Sequence, residues 1–267
     1  MLFYLSSTGN TLWAAKTIAQ ATGDRLVNIA EALQGDCTFT LASDERIGFA
    51  FPVHGWRPPV LFRDFIRYRM RLLTGTETDT LDKHYVYALC TAGDDIGETM
   101  RLLEADLAVK QLRPQAECSL IMPESYVGLP FMDVDKKAKE KKKKEEAALQ
   151  LSRFIEIVKA MTPDRSNLVL GHWPRINSRL LGGLFLKYLV TDRPFHVNSS
   201  RCVKCGICAD VCPVADIVGG LGHEPVWRHN DSCLTCFSCY HHCPHHAIEY
   251  GGRTKHKGQY FYNRNKL

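Results

Sequence analysis

Two cysteine runs carry the clearest chemistry in this chain. The first reads Cys202-Val-Lys-Cys205-Gly-Ile-Cys208-Ala-Asp-Val-Cys212-Pro213, and the second reads Cys233-Leu-Thr-Cys236-Phe-Ser-Cys239-Tyr-His-His-Cys243-Pro244. Both are C-x2-C-x2-C-x3-C-P, and together they take eight of the 11 cysteines. A four-iron cube needs one thiolate at each corner. Three thiolates at three-residue steps on a curled loop reach three corners, and the fourth must come from elsewhere. In runs of this spacing the fourth cysteine of each half serves the other cluster. The expected sets are therefore Cys202, Cys205, Cys208 and Cys243 for one 4Fe-4S cluster, and Cys233, Cys236, Cys239 and Cys212 for a second. A zinc site shows two C-x2-C pairs and leaves no third cysteine at the same step. A disulfide framework belongs to secreted chains. Gly206 and Ser238 leave room beside the sulfurs for backbone N–H groups, which help set potential.

A second constellation lies at the N-terminus. Residues 2–5 are an apolar run that leads into Ser6-Ser7-Thr8-Gly9-Asn10-Thr11 and then a helical pattern. Hydroxyls around a glycine at the mouth of a helix suit a phosphate, which meets free N–H groups and the positive end of the dipole. The loop has no lysine, so it lacks the G-x4-G-K-[ST] of nucleotide hydrolases and also the G-x-G-x-x-G fingerprint. It suits a terminal phosphate that is held rather than transferred. An ordinary strand-to-helix turn with a Thr or Asn cap is the plain alternative.

These residues need elements to position them. Short apolar runs at 2–5, 46–51, 85–90 and 118–122, with a weaker one at 25–29, read as buried strands. Residues 11–21, 59–73, 95–111 and 135–161 read as helices. The alternation predicts an α/β fold, a doubly wound parallel five-stranded sheet with helices on both faces. Residues 1–161 make this first unit. Residues 162–195, with three prolines and a Gly182–Gly183 pair, read as a connector. In it Leu180, Leu181, Leu184, Phe185, Tyr188 and Leu189 predict a short amphipathic helix whose apolar stripe packs on a neighbouring domain; attachment to a membrane surface is the weaker reading. Residues 196–250 hold the cysteine repeat, and 251–267 form a basic tail. The KKAKEKKKKEE run from Lys136 reads as a solvated helix face or protruding turn, with a docking surface for an acidic partner as the sharper reading. No window offers ~20 uninterrupted apolar residues, so no spanning helix is expected. With no secretory signal pattern, a cytoplasmic protein is expected.

The stretch Phe3-Tyr4-Leu5-Ser6-x-x-Gly9-x-Thr11-x3-Ala15-x2-Ile18 resembles the FMN-phosphate signature of the flavodoxin family at every defined position. That resemblance implies FMN held by Ser6, Ser7, Thr8, Gly9, Asn10 and Thr11. It implies two further loops on the isoalloxazine: Pro52-Val53-His54-Gly55-Trp56 and the stretch holding Thr91, Ala92 and Gly93. Trp56 stacks on the ring in that reading; packing under Pro58 and Pro59 is the alternative. His54 reads as a polar loop residue, and residues 122–126 as a further border. The cysteine half resembles a bacterial-type two-cluster ferredoxin, a small α+β domain. Together the halves resemble the flavodoxin-ferredoxin fusion family over nearly the whole chain.

The resemblance implies an electron carrier that links FMN, two 4Fe-4S clusters and an external redox partner protein. A ferredoxin-coupled FMN reductase acting on a small molecule is one alternative. A redox-sensing or assembly module without flavin is another. No acid–base or nucleophile constellation is visible, so no catalytic residue is expected. Net charge is +5, made of about +2 over residues 1–198, −2 over 199–250 and +5 over the tail. Eight cluster thiolates make the repeat more acidic still, at about −2 per oxidised cluster. A nucleic-acid partner is not expected. Arg63, Arg67 and Arg71, at i, i+4, i+8, read as an outward stripe or as a dock for an acidic partner. His241, His242, His245 and His246 read as surface or near-cluster groups, able to make a potential drift near pH ~6.5. Cys37, Cys90 and Cys118 read as buried thiols.

Overall fold

The computed structural model describes residues 1–75 and 80–264. In chain order the first part comprises β1 (Leu2–Tyr4), α1 (Asn10–Thr22), β2 (Leu26–Asn28), α2 (Ile29–Ala32), β3 (Thr38–Leu41) and β4 (Ile47–Pro52). It continues with α3 (Val60–Asp64), β5 (Arg71–Thr74), β6 (Val86–Ala92), α4 (Thr99–Ala108), β7 (Ala116–Ile121), α5 (Lys137–Ala160) and β8 (Asp164–Asn167). The second part holds α6 (Gly182–Tyr188), β9 (Phe195–Val197), α7 (Ile207–Asp210), β10 (Ile217–Gly220), β11 (His223–Trp227), α8 (Ser238–His242) and β12 (Ile248–Tyr250).

The central sheet has six parallel strands in the order β2-β1-β4-β6-β7-β8. Strands β4 and β6 sit in the middle and are almost wholly buried. A parallel strand covered on both faces needs a continuous apolar run, and these two have one. Alternate residues feed two cores. Phe3, Phe49, Phe51, Phe62, Phe65 and Leu103 fill one face. Leu2, Ala15, Tyr87, Leu120, Leu151 and Phe154 fill the other, under α1 and α5. Each fully buried side chain of this size contributes about 1.5–3 kcal/mol of transfer free energy.

The sheet departs from the five-strand expectation at its edge. Strand β8, in the stretch expected to be a connector, pairs with β7. Its residues Asp-Arg-Ser-Asn are polar because an edge strand is solvated, so no apolar run announces it. The helix expected over 59–73 also divides. Its winding widens to a π-turn over Phe65–Arg69, and Arg71–Thr74 then pairs in parallel with β3. The wider turn breaks the i, i+4 register, so Arg63, Arg67 and Arg71 do not form one stripe. Arg63 instead grips the buried Asp106 through Nε at 2.6 Å and Nη2 at 3.0 Å. Arg67 approaches the same carboxylate at 3.7 Å.

The third core belongs to the C-terminal lobe. Phe195, Trp227, Phe237, Tyr240, Ile248 and Tyr250 pack together, and Val127 of the first unit joins them. Strands β9 and β12 pair antiparallel, as do β10 and β11. Among the described residues no helix is long and apolar enough to cross a membrane.

Candidate functional site

Strand order reverses between β1 and β4, and ligands in open α/β sheets bind beyond the carboxyl ends of strands at such a point. A cavity of about 610 Å3 opens there. Of the residues expected at a flavin, Ser6, Ser7, Thr8, Asn10, Thr11, Pro52, Val53, His54, Gly55, Trp56, Thr91, Ala92 and Gly93 line it, and Gly9 does not. Pro123, Glu124, Ser125 and Tyr126 border it as well.

The first wall is built at the exit of β1. Gly9 takes φ +88°, and a Cβ there would lie 3.0 Å from Tyr262 Cβ, so only glycine fits this turn into α1. Ser6 Oγ accepts from Leu12 N at 3.1 Å. The backbone N–H groups of Ser7, Thr8 and Gly9 have no acceptor among the described residues. The N–H groups of Asn10 and Thr11, at the start of α1, have no acceptor among the described residues either. Ser7 Oγ is buried with no oxygen or nitrogen partner. These orphaned donors, without an acidic residue in the first helical turn, fit an anionic oxygen ligand.

The other walls are tied to this loop. Thr11 Oγ1 and Thr91 Oγ1 lie 2.8 Å apart, and Asn10 Nδ2 donates to the Pro123 carbonyl at 3.1 Å. Gly55 and Trp56 both take the left-handed conformation, in a turn closed by His54 N to Arg57 O at 2.9 Å. Burial pushes His54 down to about 4, so this wall is uncharged at neutral pH. Burial also raises Glu124, whose carboxylate accepts from Ser125 N at 2.8 Å and Tyr126 N at 2.7 Å.

Lys143 was hidden in the lysine run. Its side chain is buried, and Nζ donates to the Gly93 carbonyl and to Asp135 Oδ2, each at 2.6 Å. Burial would raise Asp135, but Lys139 and Lys143 outweigh it and hold the carboxylate below its usual range. The signal was present. Lys143, Ala147, Leu151, Phe154 and Val158 fall on one helical face, so extending the apolar stripe backwards lands on this lysine.

The cysteines fall into two groups. Cys202, Cys205, Cys208 and Cys243 line one small hollow. Cys233, Cys236 and Cys239 are electrostatic neighbours of each other and of Cys212. Burial raises the Cys208, Cys233, Cys236 and Cys239 thiols, so they are protonated unless a metal takes the sulfur. Among the described residues no three His, Cys, Asp or Glu side chains converge as they would on a single ion. Four cysteines on separate corners of a cube need no such convergence. Backbone N–H groups already point at sulfur: Asp216 to Cys212 at 3.3 Å, Thr235 to Cys233 at 3.4 Å and Ala247 to Cys243 at 3.2 Å. Cys37, Cys90 and Cys118 are buried in the sheet unit.

The cavity and the second group meet. Leu234, Thr235 and Cys236 line the cavity together with Ser6 and Ser7. Ser238 Oγ donates to the Ser7 carbonyl at 3.0 Å, and the Ser7 hydroxyl lowers the neighbouring Cys236 thiol against the larger effect of burial.

Two further parts of this junction were not legible. His241, expected at the surface or near a cluster, is buried between the lobes, beside the second cysteine run. Nδ1 accepts from Tyr260 N at 3.1 Å, so Nε2 carries the proton and donates to the Ser125 carbonyl at 2.6 Å. Burial pushes it down to about 3 and also lowers His242 and His246, which removes them as groups protonated near neutral pH. The basic tail is a strap. Tyr262 N donates to the Thr8 carbonyl at 2.8 Å, Tyr260 Oη donates to Asn10 Oδ1 at 2.6 Å, and Tyr262 stacks on Trp13. Arg253 and Lys257 donate to carbonyls at 127–129. Lys266 lies outside the described residues.

Residues 195–244 match the family described as a 4Fe-4S dicluster domain. Two solved structures are similar over part of the chain. One is a candidate flavoprotein from Bacteroides uniformis ATCC 8492, at 17% identity and TM-score 0.32, covering 45% of this chain and 88% of that one. The other is a candidate flavoprotein from Bacteroides eggerthii DSM 20697, at 14% identity and TM-score 0.29, covering 56% and 95%. No curated protein matches the chain. The chain is thus an α/β protein with a six-stranded parallel sheet and a small C-terminal ferredoxin-like region of the iron–sulfur type.

Proposed function

We propose that this is an electron-transfer protein that binds FMN in the cavity and two 4Fe-4S clusters in the C-terminal lobe, and exchanges electrons with a redox partner protein. The observation that carries this reading is that Cys236 lines the same cavity as the phosphate-type loop Ser6–Thr11. When bound, FMN would take electrons singly or in pairs and each cluster one at a time, so a chain holding both can convert one traffic into the other.

The protein's own residues supply position and environment. The free N–H groups and hydroxyls of residues 6–11 would hold the phosphate. Residues 52–56 and 91–93 would hold the ring, with Lys143 fixing the Gly93 carbonyl. Neutral His54 adds no charge to the wall. Phe185 and Tyr126, with ring centroids 5.3 Å apart, help exclude water. The inner cluster would take Cys212, Cys233, Cys236 and Cys239, and the outer one Cys202, Cys205, Cys208 and Cys243. A cavity of this size lies within the usual range for cofactor sites, roughly 300–1,000 Å3.

Iron, labile-sulfide and flavin analysis of anaerobically purified protein tests the reading. It expects about eight irons, by the two four-cysteine sets, and one FMN per chain. Zinc without labile sulfide, or failure to retain FMN after reconstitution, would overturn it.

A further inference from the structure

The helical segment that closes over the cavity leaves most of its apolar side chains outside. It runs through the π-turn Ile176–Leu181 into α6. Its inner face carries the small Ser178 and Gly182 together with one ring, Phe185, which lines the cavity. Ser178 Oγ donates to the Trp56 carbonyl at 2.9 Å and accepts from Glu98 N at 2.7 Å. Gly182 approaches so closely that a Cβ would lie 2.3 Å from the Gly55 carbonyl oxygen. Of the apolar stripe expected to pack inward, Phe185 does so and Leu189 is half-buried, whereas Leu180, Leu181, Leu184 and Tyr188 are exposed. Leu180 is 59% exposed and Tyr188 62%, with Ile176, Leu181 and Leu184 beside them. Leu170 and Trp173, the latter 66% exposed, lie just before it. The physical reason is the site itself. Ser178 and Gly182 allow the close approach to Trp56 and Gly55, Phe185 fills the space beside them, and Leu180, Leu181 and Leu184 are left outside.

Such a stripe is costly in water and usually marks a contact surface. Its charge indicates which kind. No Asp or Glu occurs between Asp164 and Asp192, whereas Arg175, Arg179 and Lys187 do. Arg179 is held by Glu98 at 2.7 Å. Arg175 and Lys187 are exposed and have no acidic partner among the described residues. A second copy docked on this face would bring these cations against their own kind. An anionic surface would not.

We propose that this face docks on an anionic lipid bilayer. The helix lies in the interface plane, with Leu180, Leu181 and Leu184 at the acyl boundary. Trp173 and Tyr188 sit at headgroup level, where amphipathic rings are favoured. Arg175 and Lys187 lay their stems along the apolar surface and reach phosphate. The proposal does not depend on flavin or cluster binding.

The test is flotation of the full-length protein with phosphatidylglycerol–phosphatidylcholine vesicles and, separately, with pure phosphatidylcholine. The protein is expected to float with the anionic vesicles only. Leu180→Ser with Leu184→Ser should weaken that binding by roughly tenfold or more. Arg175→Glu and Lys187→Glu should each weaken it about fivefold. All four positions face solvent, and unchanged circular dichroism checks that the fold is kept. Absence of flotation, equal flotation with both vesicles, or a dimer in sedimentation equilibrium that the double-serine variant dissociates would each overturn the proposal.

Discussion

The two cysteine loops have the same backbone and opposite surroundings. Lys204 and Thr235 occupy equivalent places and are both left-handed, as are Gly206 and Phe237. In the first loop Val203 is 56% exposed and Lys204 faces solvent. In the second, the equivalent Leu234 and Thr235 are buried against the cavity and the sheet unit. The sharpest difference is Gly206 against Phe237. A Cβ on Gly206 would come within 2.8 Å of Leu221 N, so that loop needs glycine. Phe237 accepts the left-handed conformation, at roughly 1–2 kcal/mol, and offsets it with a ring packed on Tyr126, Phe195 and Tyr250. One repeat has been fitted inward to the cavity, and the other has been left open to solvent. In the proposed reading, the inner cluster serves the flavin and the outer cluster serves the partner.

Removing one thiolate from each loop should give the largest effect. Cys236→Ser is expected to abolish electron exchange between the lobe and the flavin while leaving FMN bound. Cys205→Ser should leave the inner cluster and the flavin in place and abolish exchange with an external carrier. Iron analysis and electron paramagnetic resonance of both variants would check this. Identical phenotypes would remove the distinction between inner and outer.

The ring at 237 is the next test. Phe237→Ala should cost about 3 kcal/mol of stability, as for other buried aromatic truncations. Ile207→Ala, at the half-buried neighbouring position of the outer loop, should cost about 1 kcal/mol or less. Denaturant unfolding of the two variants makes the comparison.

Lys143→Gln should weaken FMN binding about tenfold, because it takes the charged donor from the Gly93 carbonyl and leaves Asp135 with Lys139 alone. Lys142→Gln, one residue away and exposed, should change nothing measurable. Fluorescence titration of FMN would read both.

The smallest effect concerns the rim of the sheet, remote from either loop. Burial would raise Glu45, but Arg25, the Ala42 N–H and the N-terminal ammonium outweigh it and hold it at about 2. Because the folded value lies below the unfolded one, the stabilisation is present above about pH 4.5 and fades as pH falls towards 2. Glu45→Gln should therefore cost about 1 kcal/mol at pH 7, after discounting for solvent screening, and nothing near pH 2. A constant difference across that range would contradict the assignment.

What could be read beforehand follows the physics of each feature. Strands β4 and β6 were legible because a doubly covered parallel strand must be apolar throughout. The cysteine spacing and the Ser6–Thr11 loop were legible because their chemistry is local in sequence. Strand β8 was not, because its edge position lets it be polar. The π-turn at Phe65–Arg69 was not, because helical periodicity assumes a constant turn. His241 and the strap at Tyr260 and Tyr262 were hidden because their partners lie more than a hundred residues away at Ser125 and beyond two hundred at Thr8 and Asn10. Leu180, Leu181 and Leu184 reversed part of a sound expectation, because the close approach of Ser178 and Gly182 to Trp56 and Gly55 decided which face went in, while Phe185 packed inward as expected.

The most direct test of the central claim is the rate of flavin reduction by a reduced external carrier, measured by stopped-flow absorbance under anaerobic conditions. The comparison is between wild type and Cys236→Ser, both loaded with FMN. The account predicts fast reduction in the wild type and its loss in the variant, with flavin content equal. Reduction of the variant at the wild-type rate would contradict it.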